Sequence, residues 1–148
     1  MSTKHVTRRF YRHRLPVRLT HWVNVLCLFV LLLSGFQIFN AHPALYWGAA
    51  SNFNDPWLEI NARRITNAQF KKYEGYVAID ELDFTTTGLL GVSDGTDGKP
   101  ERRAFPDWLT IPSWRSLAMG RQWHFFFAWL LVLNAALYLT WSAGAGHL

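Results

Sequence analysis

HWVNVLCLFVLLLSGFQIF, residues 21–39, and QWHFFFAWLLVLNAALYLTW, residues 122–141, decide the fold class of this chain. Neither contains an acidic or basic residue, and the charge-free zones reach further, from Leu19 to Asn54 and from Gln122 to Leu148. A bilayer's hydrocarbon core is about 30 Å thick and needs roughly 20 mostly apolar residues in a helix to cross it. Both stretches meet that length, so the chain reads as a membrane protein. Its 148 residues carry a net charge of +5, and the charged residues all crowd into the remainder. The single cysteine excludes an internal disulfide framework and any thiolate zinc or iron–sulfur site.

Working outward, the first span is expected over 17–39 and the second over 114–142, with Pro16 at a helix start that tolerates proline. Trp22, Trp114, Trp123 and Trp141 fall near the span ends, as interfacial aromatics do. The first span is too long for a cleaved signal peptide, and FQIFNAHPAL lacks the small-residue cleavage pattern, so it reads as a signal anchor. Residues 1–16 form a basic arm. Lys4, Arg8, Arg9, Arg12 and Arg14, followed by Arg18, place the N-terminus in the cytoplasm. Such an arm, attached to a span, serves topology and anionic lipid; no nucleic-acid partner is expected.

Residues 40–113 then form a long extracytoplasmic connection, and 143–148 a short tail. The connection is expected to be irregular. NFNDPWLEI (52–60) and AFPDWLTIPSW (104–114) suit segments lying on the membrane surface. YVAIDELDFTTTGLLG (76–91) reads as a short hairpin, and SDGTDGKP (93–100) as turn chemistry without the regular spacing of a calcium loop. No nucleotide-binding loop and no paired nucleophile and base are present, so the connection offers no active site of its own. The fold class expected is therefore an all-α membrane protein with two transmembrane helices.

Ionisable side chains within a span are costly and are functional candidates by default. His5, His13 and His147 read as solvated, and His42 as an interfacial loop residue with a lesser claim to quinone or partner contact. His21 and His124 differ, because each lies inside a span and follows an arginine by three residues, as Arg18-Leu-Thr-His21 and Arg121-Gln-Trp-His124. That spacing puts the arginine one turn outward on the same helix face. Haem iron takes an axial histidine, and haem propionates take cationic donors nearer water. Along the His124 face come Ala128, Leu131, Ala135 and Ser142; Gly35 lies about 21 Å along the first helix from His21, at 1.5 Å per residue. Ala128, Ala135 and Gly35 are candidates for macrocycle clearance, although small residues equally allow close helix packing. Spacing alone leaves haem ligation beside interhelical hydrogen bonding. With antiparallel spans the two imidazoles lie at opposite faces of the membrane, so they would serve different haems.

RLPVRLTHWVNVLCLFVLLLSGFQIFNAHPALYWG (14–48), followed by FPDWLTIPSWRSLAMGRQWHFFFAWLLVLNAALY (105–138), resembles the bacterial di-haem cytochrome b family of the cytochrome b-561 type. Its members include membrane subunits of nickel–iron hydrogenases, formate dehydrogenases and thiosulfate reductases. The likeness lies in RLTHW with the later SG, and in RQWHF. It implies b-type haem, with His21 and His124 as axial ligands of two different irons and Arg18 and Arg121 at the propionates. It also implies electron transfer between a periplasmic redox enzyme and quinone. The chain resembles the N-terminal half of the family's four-helix bundle, so each haem site would be completed by later helices or by a second copy in a symmetric dimer. The alternative is a haem-free membrane anchor that docks a periplasmic enzyme.

Overall fold

The computed structural model describes residues 15–67 and 70–145. The arm charges Lys4, Arg8, Arg9, Arg12 and Arg14, together with His5, His13 and His147, lie outside the described residues. Two helices, α1 (Leu15–Phe39) and α2 (Leu117–Gly144), are long and apolar enough to cross a membrane. Helix α1 opens two residues before the expected 17 and takes Pro16 into its first turn, where no helical N–H is sacrificed. Helix α2 opens later than Trp114, because Ser116 caps it by accepting a hydrogen bond from the Met119 N–H at 3.3 Å.

The helices run antiparallel and meet through polar and small groups set in apolar runs. Asn134 Nδ2 donates to Asn24 Oδ1 at 2.7 Å and to the Thr20 carbonyl at 2.9 Å. Towards the other end, Gly120 packs so closely that a Cβ there would lie 2.9 Å from Gln37 Cγ. Cys27, Val30, Leu33, Ser34 and Gln37 of α1 are buried, as are Gly120, Asn134 and Ser142 of α2. Lipid removes the hydrophobic drive between helices, so close packing and hydrogen bonds hold such a pair.

The connection overturns the all-α, irregular expectation. Strands β1 (Ala44–Leu45), β2 (Leu58–Asn67), β3 (Phe70–Ile79) and β4 (Leu82–Thr85) form an antiparallel sheet in chain order. A second, two-stranded sheet pairs β5 (Gly91–Asp94) with β6 (Pro100–Arg103). The hairpin expected in 76–91 is present as β3–β4, turning at Asp80 and Glu81, and SDGTDGKP turns between β5 and β6. What sequence patterning hid was the long β2–β3 pair, including the Leu58–Ile60 end of the supposed surface segment 52–60. Its register sets Leu58 opposite Ile79, Ile60 opposite Val77 and Ala62 opposite Gly75. The last pair is small because β5 crosses it backbone to backbone. A Cβ on Gly75 would lie 2.2 Å from the Leu90 carbonyl oxygen, and one on Gly91, at φ +76, would lie 2.3 Å from that of Asn61. Small inward residues erase the apolar alternation by which a strand is recognised. On the other face of β2, Arg63 pairs with Glu74 at 3.1 Å and with Asp83. The Thr85 hydroxyl and Arg63 together hold the Glu74 carboxyl below its usual range, but Arg63, Asp83 and Thr85 are exposed and the pairs contribute little stability.

One guanidinium fastens this β-rich connection to the helices. Arg103 at the end of β6 is buried and donates to the Gln37 Oε1 at 2.9 Å, the Thr110 hydroxyl at 2.9 Å and the Ser113 carbonyl at 2.6 Å. Gln37 in turn donates to the Trp114 carbonyl at 3.0 Å. Three residues on, Asn40 accepts from the Phe105 N–H at 2.7 Å and donates to its carbonyl at 3.3 Å. The Phe105 ring stacks on Phe36 with centroids 4.2 Å apart. The Ile111 N–H reaches the Leu33 carbonyl at 3.3 Å. Leu33, Gln37 and Asn40 lie on one stripe at the end of α1, and 104–114, expected to lie on the membrane surface, is therefore strapped along that stripe before it leads into α2.

Three outcomes follow from these contacts. Gly75→Ala has no room for its methyl group against β5, and should lower the connection's unfolding free energy by about 2 kcal/mol, the usual scale of overpacking, measured by urea titration in micelles. Asn134→Ala should weaken helix pairing by about 1 kcal/mol, read by SDS titration in bicelles. Arg103→Met should cost about 3 kcal/mol by stranding buried acceptors, seen as faster tryptic cleavage after Arg102 while both helices stay inserted.

Candidate functional site

His124 sits two turns into α2, half-buried against α1. Its Nδ1 lies 3.1 Å from the Ser34 hydroxyl, and a Cβ on Gly35 would lie 3.8 Å from its Cε1. Ser34 is fully buried, and its Oγ also lies 2.7 Å from the Val30 carbonyl and 3.2 Å from that of Leu31. Serine bonds back to its own helix in this way when water is absent. Gly35 also borders an apolar groove of about 410 Å³, which runs along Leu31, Leu32, Phe36 and Phe39 towards Ile60 and Phe105.

At the far end of the pair, His21 is exposed on α1, with its ring edge-on to Trp22 at 5.8 Å. Arg18 and His21 line one shallow pocket of about 300 Å³ with Val17 and Trp22, so the arginine and histidine do share a face. Thirteen residues of α1 separate His21 from Ser34, which is about 20 Å along the axis. The structure therefore keeps the two imidazoles apart and brings Gly35 to the His124 end. Among the other sequence-derived candidates, Arg121 is exposed one turn before His124, Ala128 is half-buried, and Ala135 lies on the open surface of α2. His42 bonds the Tyr46 hydroxyl at 2.8 Å and meets Phe53 edge-on, within the connection. Among the described residues no three His, Cys, Asp or Glu side chains gather into a metal-binding group, so His21 and His124 each stand as a single nitrogen donor.

Sequence reasoning missed the polar groups that form the helix seam, Ser34 beside His124 among them. Ser34, Asn24, Gln37 and Asn134 were legible only as polar residues inside apolar runs, a signal the rule for costly intramembrane polar groups would have caught. Arg103 carried no signal, since nothing in ERRAF distinguishes it from the exposed Arg102 beside it. Burial draws the Arg103 guanidinium down from its ordinary range, with Glu101 and Asp107 opposing that effect. Its strongest hydrogen bonds go to neutral oxygens, and the Glu101 carboxylate stands off at 3.6 Å.

Compared with known families, the chain matches the model of prokaryotic cytochrome b561 over residues 12–146. No curated protein and no solved structure matches it. The match covers nearly the whole chain, which belongs to the prokaryotic cytochrome b561 family. It is thus a prokaryotic membrane protein, a b-type cytochrome of electron transfer, of a family that binds haem b.

Proposed function

We propose that this prokaryotic cytochrome b561 carries electrons across a bacterial inner membrane between a periplasmic oxidoreductase and the quinone pool. In this reading His21 and His124 each give one axial nitrogen to a separate haem b. Haem, when bound, supplies the one-electron chemistry, and the protein supplies ligation, orientation and electrostatics.

The observation that carries the reading is the setting of His124. An imidazole nitrogen donor is held by Ser34 in the helix seam, with Gly35, which also lines an apolar groove of about 410 Å³ along α1, beside the ring. This donor chemistry fits what a haem iron needs: an imidazole held in place, with no side-chain bulk on the residue beside it. His21 offers the same ligand type beside an arginine, in the shallow pocket at the other end. Arg18 and Arg121, each one turn nearer its helix start, would hold propionates, and Gly35, Ala128 and Ala135 would give clearance.

The arm 1–16 marks the cytoplasmic side. The span 17–39 then leads to a periplasmic connection, 40–113, and the span 114–142 returns, with 143–148 inside. His21 then lies towards the cytoplasm and His124 towards the periplasm, which suits relay of charge between a periplasmic enzyme and quinone. Each haem would take a further protein ligand from other helices or from a second copy of this chain about an axis along the membrane normal.

The test is a dithionite-reduced minus oxidised spectrum of membranes carrying the chain, with a pyridine haemochrome assay for haem per protein. A b-type α-band is expected. His21→Ala and His124→Ala should each remove the haem at its own end while the protein stays inserted. Haem content and spectrum unchanged in both variants would sink the ligand assignment, and inserted, haem-free protein that still docks its partner enzyme would return the chain to a membrane anchor.

A further inference from the structure

We propose that Ser34 is a positioning residue that fixes His124 as its Nδ1–H tautomer and so presents an unprotonated Nε2 as the ligand atom for haem iron. The inference rests on His124 being that ligand, but its geometric half stands on α1 and α2 alone.

A serine hydroxyl has one proton and two lone pairs. Ser34 Oγ has three neighbours, the Val30 carbonyl at 2.7 Å, the Leu31 carbonyl at 3.2 Å and His124 Nδ1 at 3.1 Å. The two carbonyl oxygens can only accept. An O···O separation of 2.7 Å is the ordinary length of an O–H···O bond, and without a proton it would press two acceptors together. The Ser34 proton therefore belongs to the Val30 carbonyl, one turn back along α1. The hydroxyl oxygen is left as an acceptor towards His124, and the ring must meet it with Nδ1–H.

A neutral imidazole carries one proton, so Nε2 keeps its lone pair. Metal-bound histidines characteristically donate their second ring nitrogen to a fixed acceptor, which sets both tautomer and ring plane. Ser34 is fully buried and cannot exchange this partner for water, and Gly35, the next residue, keeps side-chain bulk away from Cε1. The SG pair of α1 thus orients the imidazole and leaves space beside it.

The experiment uses the chain in lipid nanodiscs, labelled with 15N-histidine and without added haem, with the His124 signal identified by its loss in His124→Ala. The expected spectrum has the proton on Nδ1. Ser34→Ala should move it towards Nε2, the tautomer free histidine prefers, and Ser34→Thr, which keeps the hydroxyl, should hold it on Nδ1. A wild-type proton on Nε2, or a spectrum indifferent to Ser34→Ala, overturns the proposal.

Haem titration then reads the consequence. Ser34→Ala should weaken haem retention by about 10- to 100-fold and raise the midpoint potential, because the imidazole donates less charge to ferric iron, while Ser34→Thr restores both. Unchanged affinity and potential in Ser34→Ala overturn the positioning role. If instead His124→Ala leaves all haem in place, the ligand assignment falls and takes this proposal with it, whereas an intact tautomer result would still report the Ser34–His124 bond.

Discussion

The buried guanidinium of Arg103 is the constraint on which the arrangement of the chain depends. A charge removed from water needs partners for its donors, and here Nη1 and Nη2 find them on elements far apart in sequence, α1 through Gln37 and the strap before α2 through Thr110 and Ser113, while Nε has none among the described residues. Gln37 passes the connection on to the Trp114 carbonyl, and its methylenes lie against Gly120 at the start of α2. The residues that tie down the connection are therefore the same ones that set how closely the two helices approach at that end. His124 lies one turn further along α2 and Ser34 three residues earlier on α1. The geometry of the His124 site is thus inherited from a polar node outside it.

The two ends of the helix pair are built differently. Asn24 and Asn134 clasp the pair near the His21 end, with the Asn134 amide committed to Asn24 and to the Thr20 carbonyl. That clasp leaves His21 on the surface, beside Arg18. At the other end the imidazole is itself part of the seam. One histidine is half-buried against the facing helix of its own chain, and the other is open to whatever packs on α1. In the proposed ligation, the His124 end would offer an imidazole already positioned by α1 and the His21 end one that further packing would complete.

Much of this was legible in the sequence, for uneven reasons. The spans were readable because charge-free runs of that length have few alternatives in water. His21 and His124 stood out because titratable groups are expensive within such runs. The sheet was not readable, because Ala62 and Gly75 occupy inward positions where β5 crosses, and because no Asn-Gly or Asp-Gly pair marks the β2–β3 reversal at Asn67 to Phe70. Helix α2 begins three residues later than composition suggested, since a serine cap outranks the apolar character of Trp114. Ser34 was visible as a residue, but its role needed the opposite helix, which is information no local pattern contains.

The strap has a mechanical consequence. Phe105, Ile111 and Trp114 are hydrogen-bonded to three successive turns at the end of α1, through Asn40, the Leu33 carbonyl and Gln37. Neither helix can slide along its axis past the other without breaking those bonds. A bilayer thicker or thinner than the spans must then be met by tilting the pair as one body, or by deforming the lipid, at a fraction of a kcal/mol per Å of mismatch. The spacing between the two histidines would stay constant under such a tilt, while the depth of each beneath the headgroups would not.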